Sequence, residues 1–224
     1  MKAIIFDSSS IISLAMNGLL EELKKLKENF DGYFMITKEI KQEIIDDPLK
    51  TKRYELEALK VKELLDDNCL SLPEAFKIED RDVTFKAIKM MEIANSMFAT
   101  DGKKIHLIHQ GEASCIALSR ILDERKIKHV VTIDERTLRM LIEKPENLQH
   151  LLEKRMHTRI NLKKGNFKEF GGFKIIRSSE LMYVAYKKGL LRWKAKEVLD
   201  AILYALRFKG CAISDEEIEE TKAL

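Results

Sequence analysis

Cysteine is scarce in this 224-residue chain, and the three thiols follow no ligand-binding pattern. Cys69, Cys115 and Cys211 are odd in number, widely separated and free of any C-x-x-C spacing. Disulfide-stabilised small domains and structural zinc sites need paired or clustered cysteines, so the sequence predicts neither. Unpaired thiols are typical of a reducing compartment, and we therefore expect a cytoplasmic protein.

Long apolar runs, prolines and glycines are also few. No run of about 18 apolar residues occurs, and the N-terminal MKAIIFD reaches an acid too soon for the core of a signal peptide. Three prolines and nine glycines leave little material for a flexible linker. We therefore expect one domain over residues 1–224 and no membrane partner.

The opposite charges nearly cancel, because 40 basic and 37 acidic residues leave a net charge of +3. Binding to nucleic acid would need a local basic patch. One such stretch, residues 154–177, has eight Lys or Arg against the single acid Glu169, with phenylalanines at 167, 170 and 173. We expect a basic hairpin or loop there, within an insertion at residues 144–172 that precedes the last strand.

Short apolar strands alternate with segments of helical spacing along the whole chain. The predicted strands are Lys2–Phe6, Tyr33–Thr37, Lys128–Thr132 and Lys174–Arg177. The predicted helices cover residues 8–23, the segment carrying Ile40, Ile44 and Ile45, and residues 51–66, 79–98, 111–125, 179–188, 194–208 and 214–221. This alternation favours an α/β fold with a mostly parallel sheet and helices on both faces.

Two acids follow predicted strands directly. In IIFDSSSII, Asp7 ends the first strand, and in VVTIDERTL, Asp134 stands in the same relation to the Lys128–Thr132 strand. The carboxyl ends of parallel strands are where α/β proteins bind ligands. Each acid is equally well explained as an N-cap or as a favourable charge at the start of the next helix.

Two glutamates at helix starts complete the candidate set. HQGEASCIAL places Glu112 in the first turn of a helix, and ITKEIKQEII places Glu43 three residues after the buried Ile40, with Glu39 as its competitor. Alone, each is more often a structural or solvated residue. Together with Asp7 and Asp134 they would meet at one sheet edge, where clustered carboxylates require a compensating cation. Oxygen ligands of this kind suit Mg²⁺ or Mn²⁺ and phosphoryl chemistry.

The order of these motifs resembles the acidic motifs of PIN-domain ribonucleases. The matching elements are DSSSII after the first strand, I-x-x-E at 40–43, GEASCIAL at 111–118 and TIDER at 132–136. The segment YKKGLLRWKAKEVLDAILYALRFKGCAISDEEIEE is similar to the one that closes a prokaryotic subgroup of the family. The resemblance covers most of the chain. It departs in the longer 144–172 segment and in a Ser of the first motif where many members have Thr or Asn.

The resemblance implies a three-layer α/β/α sandwich that hydrolyses RNA phosphodiester bonds with Mg²⁺ or Mn²⁺. It gives catalytic roles to Asp7, Glu43, Glu112 and Asp134, metal-binding roles to Asp7, Glu112 and Asp134, and a supporting role to Ser9. Its implied partners are single-stranded RNA, an antitoxin or a ribosome-associated partner, and a second copy in a homodimer.

The basic segment is the predicted RNA path. Lys163, Lys164 and Lys168 would attract the phosphate backbone, and Phe170, with Phe167 or Phe173, would stack on unpaired bases. The alternative, which we favour for the phenylalanines, is that they pack the insertion onto the core. Arg136 and Arg139 either contact phosphate or form surface ion pairs.

Other function classes remain open. A catalytically silent PIN-like module would bind RNA or a protein with the same fold. A haloacid-dehalogenase phosphatase also begins with a strand-end Asp, but it needs a second Asp where this chain has Ser9, so we discount it. Cys115 and Trp193 are expected to be core residues, and His106 and His109 lack the companions of a zinc site.

Overall fold

The structure is a computed structural model that describes residues 1–100, 103–163 and 168–224, without the side chains of Lys103 and Lys104. Its strands are β1 Lys2–Phe6, β2 Tyr33–Met35, β3 Leu70–Ser71, β4 Phe98–Thr100, β5 Lys103–Lys104, β6 Lys128–Thr132, β7 Asn161–Leu162 and β8 Ile175–Ile176. Its helices are α1 Ser8–Met16, α2 Leu20–Glu28, α3 Lys38–Lys41, α4 Glu55–Asp66, α5 Asp80–Met97, α6 Gln110–Glu124, α7 Arg136–Glu143, α8 Pro145–Met156, α9 Ser178–Lys187, α10 Val198–Phe208 and α11 Asp215–Ala223.

The central sheet is parallel. In the part of the chain that the structure describes it has five strands, in the order β3-β2-β1-β6-β8. Helices flank this sheet, which confirms the predicted α/β class and is consistent with a three-layer α/β/α sandwich. The continuous apolar runs of β1 and β6 explain their central position, because a parallel strand covered on both faces must be apolar throughout.

Four strands end at the same edge of the sheet, and each leads almost at once into a helix. Phe6 is paired with Thr132, and Thr132 is paired with Ile176, so β1, β6 and β8 end level with one another. The N-terminal ends of α1, α3, α7 and α9 therefore gather at this edge. Side chains that follow these strands are brought together regardless of their separation in sequence.

The hydrophobic core lies between the sheet and its helices. The rings of Phe6 and Phe34, on neighbouring strands, have centroids 5.1 Å apart. The predicted apolar face of the helical segment after β2 is confirmed, since Ile40, Ile44 and Ile45 are all buried. That segment is α3 followed by a π-helical turn, Gln42–Asp46.

A second, antiparallel sheet was not predicted from the sequence. It joins β5, β4 and β7, with Phe98 paired to Leu162 and Ala99 paired to Lys104. Each of these strands has only two or three residues, too few to show an alternating pattern.

Three helical predictions were wrong in extent. The helix predicted for residues 51–66 starts at Glu55, four residues later. Residues 8–23 form two helices, because Asn17 ends α1 and Gly18 takes a left-handed conformation with φ +66°. The last long helix starts at Val198, four residues later than predicted. Trp193 consequently lies outside that helix with 43% of its surface exposed, so its assignment to the core was wrong.

The hairpin or loop predicted for residues 154–177 was wrong only at its start, where residues 154–156 form the end of α8. Residues 145–156 form α8, which begins at Pro145 and buries Leu148 and Leu152 at i, i+4 spacing. The strand β7 that follows pairs with β4, far back in the sequence. No helix in residues 1–100, 103–163 or 168–224 is long and apolar enough to cross a bilayer.

Candidate functional site

Asp7 is fixed at the end of β1 by Ser9. The Ser9 backbone N–H and hydroxyl both donate to Asp7 Oδ2, at 3.2 and 2.5 Å, and Asp7 serves as the N-cap of α1. The cap predicted as an alternative is therefore present. Within the described part of the chain, the other oxygen, Oδ1, is buried and accepts no hydrogen bond.

Burial makes the Asp7 carboxyl unusually weak as an acid. Only 1% of the residue is exposed, and removal from water is the main reason why its pKa rises from 3.8 to about 6. The charge of Glu43 raises this pKa further, whereas the hydrogen bonds from Ser9 partly lower it. A buried carboxylate oxygen that accepts no hydrogen bond and lies near a second acid lowers the stability of the metal-free protein.

Glu112 lies in the first turn of α6, as predicted. Its Oε2 accepts the backbone N–H of His109 at 2.8 Å, which caps the helix. Its pKa rises from 4.5 to about 8, first through burial and then through the charges of Asp7, Glu135 and Glu43. The hydrogen bond from His109 opposes this rise. Glu112 therefore belongs to the same group of acids as Asp7.

Glu43 reaches the start of α6 because residue 111 has no side chain. A β-carbon added to Gly111 would lie 2.5 Å from Glu43 Oε1 and 2.6 Å from Oε2. A β-carbon essentially never lies within 3.0 Å of a non-bonded atom, so only glycine leaves room for the carboxylate in this position. Glu43 itself is exposed, and a cavity of about 440 Å³ adjoins it between α3, α5 and α6.

A buried hydrogen-bond chain holds α3 against α6. Thr37 caps α3 by accepting the N–H of Ile40 at 3.2 Å, and its hydroxyl lies 2.6 Å from that of Ser114. The Ser114 hydroxyl is also 2.6 Å from the carbonyl of Gly111. These contacts fix the helix that carries Glu43 relative to the first turn of α6.

The thiol of Cys115 lies beneath this group of acids. It is fully buried, with Sγ 3.5 Å from the carbonyl oxygen of Phe6. Burial raises its pKa well above 9.0, and the charges of four acids raise it further: Asp7, Glu43, Glu112 and Glu39. The packing role predicted for Cys115 is confirmed. A thiol held in its protonated form in this way is no nucleophile.

Glu39, the competitor of Glu43, faces another helix. Its Oε1 accepts the hydroxyl of Thr84 in α5 at 2.5 Å. Glu39 Oε2 is buried and has no hydrogen-bond partner among the described residues. Glu39 therefore flanks the acid group, and Glu43 is the member that approaches α6.

The carboxylate of Asp134 is bound by the first residue of α9. It is fully buried; Oδ1 accepts the backbone N–H of Ser178 at 2.8 Å, and Oδ2 accepts the Ser178 hydroxyl at 2.5 Å. Burial raises its pKa, and the bonds from Ser178 oppose the rise. Its backbone N–H donates to Ser9 Oγ at 3.2 Å. Asp134 thus anchors the start of α9 and supports Asp7 through Ser9.

Glu135 is the acid that the sequence analysis did not select. It caps α7 by accepting the N–H of Leu138 at 2.8 Å, and its charge contributes to the raised pKa of Glu112. The available signal was its position in TIDER, directly after Asp134. In the sequence, that position is fully explained by helix capping. Only the fold brings Glu135 close enough to Glu112 for its charge to act there.

These acids line one rim without enclosing a common point. Among residues 1–100, 103–163 and 168–224, no three Asp, Glu, His or Cys side chains are grouped tightly enough to hold one ion. The donor chemistry nevertheless suits a hard cation, because Asp7, Glu43 and Glu112 offer carboxylate oxygens and Asp7 Oδ1 has no donor of its own.

The predicted RNA-stacking role of Phe170 was wrong. Its ring is only 1% exposed, so the packing alternative is confirmed for this residue. Arg120 holds the segment in place: its guanidinium donates to the carbonyls of Glu169 and Gly171 and lies 4.0 Å from the ring centroid of Phe173.

The basic residues of the predicted RNA path are only partly described. Lys163 and Lys168 are exposed, and the backbone N–H of Lys163 donates to the carbonyl of Met97 at 2.8 Å. Lys164 and Phe167 lie outside the described residues.

Comparison of the chain with protein-family models, curated proteins and solved structures gives no match. The chemistry of this rim is therefore inferred from its own residues and from the resemblance of their motifs.

Proposed function

We propose that this protein is a PIN-type endoribonuclease that uses Mg²⁺ or Mn²⁺ to hydrolyse phosphodiester bonds of single-stranded RNA. The observation that carries the proposal is the buried, donor-free Oδ1 of Asp7 in a group of acids that includes Glu43 and Glu112. The order of the sequence motifs and the parallel sheet with flanking helices support the same family.

The raised pKa values of Asp7, about 6, and Glu112, about 8, indicate that burial and mutual repulsion favour protons on these groups. A divalent cation relieves the same repulsion by replacing those protons. When bound, it would supply activation of water and compensation of negative charge. Asp7, Glu43 and Glu112 are the side chains that would hold it, after moving closer together than they are in the metal-free protein.

The remaining chemistry uses the chain's own groups. The oxygen of a water molecule attacks phosphorus, and the bond to one ribose oxygen breaks. The water proton passes to Glu43, the most exposed of the three acids, and the departing ribose oxygen takes up a proton from solvent. Ser9 fixes the orientation of Asp7. Asp134 holds α9 through Ser178 and supports Ser9 through its backbone, so we assign it a positioning role.

A calorimetric Mn²⁺ titration of chelator-treated protein tests the metal site first. We expect wild type to bind Mn²⁺, and the Asp7→Asn and Glu112→Gln variants to lose at least about tenfold in affinity. The exposed Asp31→Asn is the charge-matched control and should bind like wild type. No binding to wild type at millimolar Mn²⁺ contradicts the proposed site.

Cleavage of a random-sequence pool of single-stranded RNA then tests the activity. Wild type should cleave the pool with Mn²⁺ present and stop when chelator is added, whereas Asp7→Asn should be inactive. A wild type that binds Mn²⁺ but leaves every member of the pool intact contradicts the nuclease assignment.

One observation favours a second candidate, a catalytically silent PIN-like module that binds RNA or a protein. Both oxygens of Asp134 are engaged by Ser178, so the carboxylate that the resemblance makes a metal ligand is already occupied. This candidate predicts RNA or protein binding that does not depend on Mn²⁺ and that survives Asp7→Asn.

A further inference from the structure

A basic cavity lies beside the acidic rim, on the side of α7. Its volume is about 470 Å³, and its walls come from α7, the start of α8, the end of α10 and the start of α11. Four cationic side chains line it: Arg136, Arg139, Lys144 and Arg207. The two acids in its walls are Glu143 and Glu217, so the lining carries an excess of positive charge.

A backbone hydrogen bond links the wall of the cavity to the segment that carries Asp134. Ala212 lines the cavity, and its backbone N–H donates to the carbonyl of Asp134 at 3.0 Å. Arg136 directly follows Glu135, one of the acids whose charge raises the pKa of Glu112. The cavity wall therefore adjoins the segment that carries Asp134 and Glu135.

Both wall acids already have cationic partners. Glu217 accepts a hydrogen bond from Arg177 at 2.8 Å, and Glu143 lies 3.6 Å from Arg139. Arg139 also donates to the carbonyl of Ala212 at 2.9 Å, so its guanidinium already has two partners within the protein. These ion pairs neutralise Glu143 and Glu217 and leave other cations of the cavity wall without an acidic partner.

Arg136 and Lys144 are the lining cations that remain available to a ligand. Both are exposed, and in the described part of the chain neither forms an ion pair or a side-chain hydrogen bond. Arg207 forms an ion pair with Asp215. Two available positive side chains in a concave, polar site suit an anion that can accept several hydrogen bonds at once.

We propose that this cavity binds backbone phosphates of the single-stranded RNA substrate, flanking the bond that is cleaved, with Arg136 and Lys144 as the contacting residues. The inference rests on the proposed function for the identity of the ligand. The proposed RNA path then includes α7 and the start of α8. The basic segment that contains Lys163 and Lys168 remains a second predicted part of that path. Contacts to phosphate orient the strand and read no base sequence.

The test is the binding of a short fluorescein-labelled single-stranded RNA, measured by anisotropy in the presence of chelator. Arg136→Gln/Lys144→Gln should bind about tenfold more weakly than wild type. The slope of log affinity against log salt should become shallower by about 0.7 for each phosphate that the variant no longer binds. The matched control, Lys60→Gln/Lys196→Gln, removes two exposed charges outside the cavity and should change neither quantity.

The comparison variant Lys163→Gln/Lys168→Gln measures the contribution of the basic segment in the same assay. Equal affinities for the cavity variant and the matched control overturn the inference, as does a wild type that binds no RNA under these conditions. The three double variants should have melting temperatures within about 2 °C of one another, which shows that the comparison is made between folded proteins.

The assay needs neither metal nor cleavage, so it separates this inference from the proposed function. If wild type never cleaves RNA but the cavity variant loses affinity, the phosphate site stands and the nuclease assignment fails. If wild type cleaves RNA and the cavity variant binds and cleaves like the control, the nuclease assignment stands and the cavity assignment fails.

Discussion

The carboxylate of Glu43 fills the space that any side chain at Gly111 would occupy. A β-carbon at residue 111 would lie 2.5 Å from Glu43 Oε1. The two residues belong to different helical segments, which the contact between Thr37 and Ser114 holds together at 2.6 Å. The Glu43 carboxylate of the I-x-x-E motif thus explains why the GEASCIAL motif begins with glycine.

Gly111→Ala should displace the Glu43 carboxylate while leaving the fold intact. The atoms in conflict are the end of a flexible, exposed side chain, so Glu43 can move away at little cost. We expect the free energy of unfolding to change by less than about 1 kcal/mol, since alanine also favours the helix. Mn²⁺ affinity should fall about tenfold in a calorimetric titration.

A double-mutant cycle provides the control for this prediction. Once Glu43→Gln has removed the carboxylate, adding Gly111→Ala should have little further effect on Mn²⁺ affinity. Gly171→Ala, where the nearest atom to the added β-carbon is 3.8 Å away, should leave Mn²⁺ affinity unchanged. Additive losses in the cycle would mean that Gly111 acts independently of Glu43.

Asp7→Asn should stabilise the metal-free protein at neutral and alkaline pH. The folded-state pKa of Asp7, about 6, lies above the ordinary 3.8, so the folded protein retains a proton that the unfolded chain releases. The stability that this proton provides is fully present below about pH 4 and is lost as the pH rises through 6. We therefore expect Asp7→Asn to exceed wild type by about 1–3 kcal/mol near pH 8 and to match it near pH 4.

Urea unfolding at several pH values, with chelator present, measures this difference. The exposed Asp31→Asn should stay within about 0.5 kcal/mol of wild type throughout. Adding Mn²⁺ should reverse the order, because a bound cation stabilises only the folded wild type. A variant that is less stable than wild type at alkaline pH would show that the hydrogen bonds from Ser9 outweigh the burial of charge.

Mn²⁺ binding should tighten as the pH rises from about 6 to 8. Glu112 has a pKa of about 8 and Asp7 one of about 6 in the metal-free protein, so the cation must displace protons from both. Calorimetry in buffers with different ionisation enthalpies should show proton release on binding. An affinity that is constant across this range would contradict a site built on these two acids.

Ser178→Ala should reveal whether Asp134 is a structural anchor. Loss of the hydroxyl at 2.5 Å from Asp134 Oδ2 leaves a buried carboxylate oxygen without that donor, at a cost of about 1.5–3 kcal/mol. Mn²⁺ affinity should remain unchanged if Asp134 only positions α9. Tighter Mn²⁺ binding by Ser178→Ala would instead mark Asp134 as a metal ligand that Ser178 holds back.

Phe170→Ala should lower stability and spare RNA binding. The ring is 1% exposed, and its removal leaves a cavity that costs about 3–5 kcal/mol. The exposed Phe208→Ala, at a position with 78% exposure, is the matched control and should cost little. Reduced RNA affinity of Phe170→Ala, measured well below its melting temperature, would restore the stacking role.

Short apolar runs were enough to predict four strands of the parallel sheet, β1, β2, β6 and β8. The runs that form β1 and β6 are continuous and end at a polar break, and both strands have the predicted bounds. The short strands β3, β4, β5 and β7 could not be predicted, because two or three residues carry no period and their pairing depends on distant partners.

Local pattern also predicted the position of each acid but not the direction of its carboxylate. The sequence determined that Asp7 and Asp134 follow strands and that Glu112 opens a helix, since strand ends and caps are local properties. Only the tertiary structure decided that Asp134 faces Ser178 while Glu43 reaches Gly111. Those choices depend on which helices pack together, and packing joins residues whose separation in sequence leaves no local signal.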